Sequence, residues 1–248
     1  MLKVGVKIMP SIKKGYIRQI ENFADYFEIY ADLNIKCDDN YLLELGLPVS
    51  AVHVAHFDNG VNFSDNSKKE INLLALKRAL EIAYHFGSKK IIFHPELIEH
   101  GLCSVNNLIE FLKINYDSRL VIENMPFSSE GIGHLCRNYE EIKEVIVKTG
   151  IGFCLDFTHA SEYAMRIGLD SEKLMRKLLL LNPIHFHLAD TDLSKVFDLN
   201  YNETHLNLGM GDINMELIKK IIPKKSEVTI ETPQNLQKQI KEIKYLKQ

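Results

Sequence analysis

A (β/α)₈ barrel is the fold class this sequence predicts, and three observations predict it. Six short, β-branched or aromatic runs each end in a residue type that ligates metals: Ala51-Val52-His53, Ile92-Phe93-His94, Val121-Ile122-Glu123, Cys154-Leu155-Asp156, His185-Phe186-His187 and Thr229-Ile230-Glu231. Runs of this kind read as buried parallel strands. Strand-like runs alternate with helical patterns along the whole chain, the order of an α/β fold. The length, 248 residues, is that of one barrel. A doubly wound open sheet is the rival, but it gathers its ligands at one switch point rather than around a ring.

The elements follow in order. Strands are expected at Lys3–Met9, Tyr26–Tyr30, Val49–His53, Lys90–His94, Leu120–Glu123, Ile151–Asp156, Ile184–Leu188 and Val228–Glu231. Residues 66–86 place Ile71, Leu74, Ala75, Ala79, Ile82 and Ala83 at helical spacing. Glu140–Lys148 puts Ile142, Val145 and Ile146 on one face, and a last helix aligns Leu236, Ile240 and Ile243. Gly87 and Gly150 each follow a helix and precede a strand, as C-terminal caps do. No Pro/Gly/Ser linker divides the chain, so a single domain over 1–248 is expected.

Composition narrows the function classes. The chain is 46% apolar, which suits a globular protein, and no run of 18 apolar residues predicts a membrane span. The net charge of −3 gives no support of its own to nucleic-acid binding. Lys219-Lys220 and Lys224-Lys225 are the main basic pairs and fall at the expected bottom of the barrel. The four cysteines, Cys37, Cys103, Cys136 and Cys154, form no CxxC pair and read as free thiols, with Cys154 a small interior residue. Met1 leads directly into a strand pattern with no visible signal peptide, so a cytoplasmic location is expected. Oligomeric state is left open.

Side chains alternate along a strand, so if the ligand types point inward, Ala51, Ile92, Val121, Gly152, Cys154 and Thr229 do too. The ligand types then converge at the C-terminal rim, where barrels of this kind carry their sites. Two like charges about 5 Å apart repel by roughly 3 kcal/mol at an effective dielectric of 20. Glu123, Asp156 and Glu231 beside several imidazoles therefore call for a divalent cation. His159, three residues beyond Asp156, and Glu203 with His205, in the loop after strand 7, extend the set. The metal candidates are thus His53, His94, Glu123, Asp156, His159, His187, Glu203, His205 and Glu231; one ion cannot use all nine, so either two or three ions bind or some of these residues hold substrate, and one to three ions (zinc, manganese, magnesium or cobalt) are expected. His185 reads as interior, one layer below His187. His56 reads as a substrate contact or a solvated loop residue. His85, His100 and His134 read as surface or helix residues.

Four motifs carry a resemblance: Glu123-Asn124-Met125-Pro126, Leu155-Asp156-x-x-His159, His187-Leu188-Ala189-Asp190 and His205-Leu206-Asn207-Leu208-Gly209-Met210-Gly211-Asp212-Ile213. Together they resemble the xylose isomerase-like TIM-barrel superfamily, which holds sugar isomerases and epimerases and also endonuclease IV. In its epimerases one divalent metal is held at positions matching Glu123, Asp156, His187 and Glu231. The resemblance implies that Glu123 and Glu231 are catalytic and exchange protons with a substrate carbon. It also implies that His159 holds a substrate hydroxyl, and Lys7, Glu28 and His56 are further substrate-binding candidates. The endonuclease uses three zinc ions, and its ligand pattern maps onto all nine metal candidates, with Glu203 standing where that enzyme has Asp. Away from the ligands, Gly5-Val6-Lys7-Ile8 departs from its Gly-Ala-His type of first strand, and Glu28 resembles the isomerase branch. Ala189 and the Asp156-Phe157-Thr158-His159 motif depart from its His-Leu-Asn-Asp and Asp-Thr-Cys-His. The leading expectation is a metal-dependent isomerase or epimerase of a small sugar or sugar phosphate. The alternative is an endonuclease IV-like multi-zinc phosphodiesterase with DNA as partner. Other hydrolase or lyase chemistry, and a non-catalytic binding protein, rank below these.

Overall fold

Eight parallel strands close on themselves in chain order, with β8 hydrogen-bonded back to β1. The computed structural model describes residues 1–9, 11–34, 46–98, 102–126, 133–198 and 205–248. Glu203, Cys37 and His100 lie outside the described residues. The strands are β1 (Lys3–Ile8), β2 (Tyr26–Ala31), β3 (Val49–Val54), β4 (Lys90–Phe93), β5 (Leu120–Glu123), β6 (Gly152–Asp156), β7 (His185–Leu188) and β8 (Glu227–Ile230). The described helices are α1 (Lys14–Ile20), α2 (Lys69–Phe86), α3 (Val105–Ile114), α4 (Tyr139–Thr149), α5 (Phe157–Arg166), α6 (Ser171–Leu179), α7 (Met215–Ile221) and α8 (Leu236–Lys247). This is the (β/α)₈ barrel that the run spacing predicts, with strand limits within two residues of those expected.

Local chemistry fixes the helix ends. Ser104, Asn138, Asp156, Asp170, Asn214 and Asn235 each cap a helix N-terminus by accepting a backbone N–H three residues on. Gly87 and Gly150 close α2 and α4 in the left-handed conformation, as their placement predicts. One helix face differs from expectation. In α2 Leu74 is exposed, and Leu76 takes the buried position beside Ala75 and Ala79. Both leucines fit a helical stripe, and only the packing against β3 decides between them.

The core has two parts. The larger lies between the barrel and its helices. The smaller, inside the barrel, is Ala51, Ile92, Val121 and Cys154 from β3 to β6. On the opposite wall, β7, β8, β1 and β2 line the interior with His185, Thr229, Gly5, Tyr26 and Glu28, of which Thr229, Gly5 and Tyr26 stand in register. Gly5 is required there, since a Cβ would stand 2.1 Å from the Tyr26 ring. No helix among the described residues is long and apolar enough to cross a membrane.

Candidate metal centre

The strand ends bring eight of the nine metal candidates to one rim; the ninth, Glu203, lies outside the described residues. Glu123, at the end of β5, is the hub. Its Oε2 is 3.3 Å from His53 Nε2, 3.3 Å from His94 Nε2 and 3.1 Å from His187 Nδ1, and its Oε1 is 3.2 Å from His159 Nδ1. Glu231 lies across the mouth, with Oε1 2.9 Å from the same His187 Nδ1 and 2.8 Å from Lys7 Nζ, and Oε2 3.6 Å from His205 Nε2. Four sets of residues offer donor atoms that all lie within 4.8 Å of one another: Glu28, His53, His187 and Glu231; His53, His94 and Glu123; Glu123, Cys154 and His187; Asp156, His159 and His205.

The motifs have visible reasons. Asn124 clamps β6 by accepting the Asp156 N–H (2.8 Å) and donating to the Asp156 carbonyl (2.9 Å). Asp156 also caps α5 by accepting the His159 N–H, which leaves its Oδ2 free of hydrogen bonds. Asp190 accepts backbone N–H groups from Gly209, Gly211 and Ile213 and so shapes the loop that follows His205. Gly211 is obligatory in that loop, because a Cβ would meet the Thr191 carbonyl at 2.2 Å. Leu206 pairs with Asp190 across the loop and holds the chain beside His205.

Hydrogen bonds also fix which ring nitrogens face the site. His53 Nδ1 donates to the Val54 carbonyl (2.8 Å), so its Nε2 is left facing Glu123. His159 Nδ1 donates to the Asn124 carbonyl (2.9 Å). His187 Nε2 donates to Glu28 Oε2 (3.0 Å), which turns Nδ1 toward Glu123 and Glu231. Such partners orient the imidazoles of metal sites.

Burial and charge set the ionisation. Burial opposes the charge on Glu123, but His187 and His94 overcome it and hold the carboxyl well below the usual range. Burial likewise opposes Glu231, and His187 and Lys7 hold it low. Burial raises the Asp156 carboxyl. Burial disfavours the His159 cation, yet Asp156 and Glu123 push its pKa up to about 10. Burial lowers His94 to about 4 and lowers His205.

The donor set fits a cation. Glu123 Oε1, Asp156 Oδ2, Glu28 Oε1 and His187 Nδ1 are buried without hydrogen bonds, a costly arrangement that an ion would relieve. Carboxylates mixed with imidazoles suit zinc, manganese or cobalt better than the all-oxygen shell magnesium favours.

The substrate candidates fall in different places. Lys7 lies in the mouth on Glu231. Glu28 lies beneath His187 with no exposed surface, 4.0 Å from Lys7, so the pair belongs to the barrel interior rather than to a surface edge. His56 stacks on His94 at 5.3 Å and is partly exposed. His134, expected at the surface, is buried, bridges to Leu97, and has its pKa lowered to about 3 by burial. It sits in the loop after β5, where no periodicity signals burial.

Cys154 falls where the sequence reading put it, and two groups, Glu96 and Glu162, escaped that reading. Cys154 Sγ lies among the donors, but burial pushes the thiol up to about 12, so it behaves as the small interior residue expected. Glu96 is buried at φ 71°, 3.8 Å from His94 Nδ1, with burial holding its pKa well above the usual range. Glu162, one turn beyond His159 on α5, is raised to about 7 by burial. The spacing from His159 was the available signal for Glu162, and Pro95-Glu96 directly after His94 was the signal for Glu96.

A family model described as xylose isomerase-like TIM barrel matches residues 19–248. The chain belongs to this family. Among solved structures it is similar to a D-tagatose 3-epimerase-like protein, at 21% identity and a TM-score of 0.74, covering 99% of this chain and 96% of that one. It is similar to endonuclease IV from Thermus thermophilus at 20% identity and a TM-score of 0.72, covering 99% and 97%. It is also similar to IOLI protein with a binding zinc atom, at 19% identity and a TM-score of 0.70, covering 99% and 96%. No curated protein matches the chain. Solved structures that share the fold are thus named as an epimerase-like protein and as an endonuclease, and at these identities the likeness establishes the fold alone.

Proposed function

We propose that the chain is a divalent-metal-dependent isomerase or epimerase of a small sugar or sugar phosphate. The observation that carries this reading is the placement of two carboxylates, buried Glu123 at the end of β5 and partly buried Glu231 just past β8, both against His187 Nδ1 (3.1 and 2.9 Å). Glu123, Asp156, His187 and Glu231 would hold the ion. When bound, a divalent cation polarises a carbonyl oxygen and acidifies the adjacent C–H. Glu123 ends β5 and Glu231 follows β8, so the ionised one takes the carbon-bound proton while the other, which must enter the cycle carrying a proton, returns one on the opposite face and is left ionised for the reverse direction. Lys7, whose positive charge is reinforced by Glu231 and Glu28 against the effect of burial, and His159 offer donors to substrate oxygens or a phosphate.

The test is isotope exchange. Metal-loaded protein incubated in D₂O with a panel of ketoses and ketose phosphates is expected to place deuterium on the carbon beside the carbonyl. No exchange with any member, under zinc, manganese or cobalt, rejects the reading.

A second reading has its own observation. The sets His53/His94/Glu123, Asp156/His159/His205 and Glu28/His53/His187/Glu231 together supply more donors than one four- to six-coordinate ion uses. Two or three ions and phosphodiester cleavage at abasic DNA sites would use them. About three zinc ions per chain, with nicking of an abasic oligonucleotide, moves the assignment there; one ion and no nicking leaves the isomerase.

A further inference from the structure

The polar wall inside the barrel is a single directed chain of hydrogen bonds that begins at the end opposite the site. Lys90, the first residue of β4, donates to Glu227 and, at 3.0 Å, to His185 Nδ1. An ammonium group has only donors, so His185 Nδ1 must accept and the ring's one proton must sit on Nε2. That Nε2 lies 2.8 Å from Thr229 Oγ1 and 3.1 Å from Glu28 Oε2. Thr229 Oγ1 donates to the same Glu28 oxygen at 2.9 Å. The carboxylate oxygen only accepts, so the third group on it, His187 Nε2 at 3.0 Å, must also be a donor. His187 is then left with Nδ1 toward Glu123 and Glu231. Lys90 and Glu227 are partly exposed at the base, the links from His185 onward are buried among the strands, and the facing wall is apolar.

We propose that Lys90 and His185 are positioning residues. From the base of the barrel they set the proton of His185, through it the carboxylate of Glu28, and through that which nitrogen of His187 faces the rim. The inference rests on the metal-centre reading in so far as that nitrogen is a ligand. Without the Lys90 cation, His185 can carry its proton on Nδ1. Its Nε2 would then oppose the Glu28 carboxylate, acceptor against acceptor, and the orientation of His187 would be lost. Plain packing does not account for the arrangement, since the barrel interior of this fold is ordinarily filled by branched apolar side chains.

The experiment uses the full chain labelled with ¹⁵N-histidine, as wild type, Lys90→Arg and Lys90→Met. Two-bond ¹H–¹⁵N spectra of the metal-free protein report the His185 tautomer, and competition with a chromogenic chelator reports zinc affinity. Wild type and Lys90→Arg are expected to show His185 protonated on Nε2. Lys90→Met is expected to populate the Nδ1 form and to bind zinc roughly 10- to 100-fold more weakly, with Lys90→Arg restoring affinity. Wild-type His185 protonated on Nδ1 overturns the proposal. So does a folded Lys90→Met variant with unchanged tautomers and unchanged zinc affinity. Should Lys90→Met not fold, the wild-type tautomer alone decides. Because that tautomer is read without metal, failure of the metal-centre reading shows separately, as absence of zinc binding to the wild type.

Discussion

At Glu123 four imidazoles meet one buried carboxylate, so its charge and its two oxygens both matter. Glu123→Gln and Glu231→Gln are each expected to lower turnover by about 10²- to 10⁴-fold, the range of general acid–base groups, with the circular dichroism spectrum unchanged. Full activity in both variants would remove their proposed roles. His134 makes a pH prediction. Burial lowers its folded pKa to about 3, against 6.5 in an unfolded chain. A depressed histidine contributes stability fully above pH 6.5 and loses it as the pH falls toward 3, because unfolding then takes up a proton. Between pH 7 and pH 4 the wild type should lose about 3 kcal/mol more stability than His134→Gln, as urea unfolding would measure. Equal losses would place His134 in solvent. The strand-end ligands were legible because each closes or directly follows a strand, where period-two alternation fixes its direction, and His159 and His205 only by their nearness in sequence to that rim. His134 and Glu96 lie in loops, where nothing in the sequence fixes direction, and their burial comes only from tertiary packing.

Strands and helices were read well where a pattern ended on a chemical signal. Gly87 and Gly150 marked their helix ends because only a left-handed residue closes those turns easily. The face of α2 was read less well, since Leu74 and Leu76 both fit an apolar stripe and the barrel wall chooses between them. Gly5 on β1 was passed over as an ordinary strand residue, yet it makes room for a ring from β2. Tyr26 cannot swing aside, for its hydroxyl bonds Thr229 and its ring packs edge-on against His185. Gly5→Ala is therefore expected to cost about 1–3 kcal/mol by overpacking, with Gly5→Ala/Tyr26→Leu less destabilised than the two single changes summed. Additive losses in thermal unfolding would show that the two residues do not compete for the space.

For the whole molecule, the ring of ligands was visible in the sequence because six of the eight strands repeat one layout. The chemistry was not, since solved structures named as an epimerase-like protein and as an endonuclease share the fold. A bound ion should hold the folded state in proportion to its affinity. At a free zinc concentration about 1,000 times Kd the gain is about 4 kcal/mol, so stripping the ion with a chelator should lower the unfolding midpoint by roughly 8–16 °C. An unchanged midpoint would mean that no ion is held at the rim. The Lys7–Glu231 pair joins β1 to the end of β8, the seam at which the cylinder shuts. This has a consequence for the order of events during synthesis. A nascent chain that has emerged only through β7 already carries His53, His94, Glu123, Asp156 and His187, but it lacks the last carboxylate and leaves Lys7 with Glu28 at 4.0 Å in place of the closer Glu231. Tight loading must therefore wait for the final strand to leave the ribosome, and a ribosome-stalled chain ending before β8 should take up zinc far more weakly than one released beyond it.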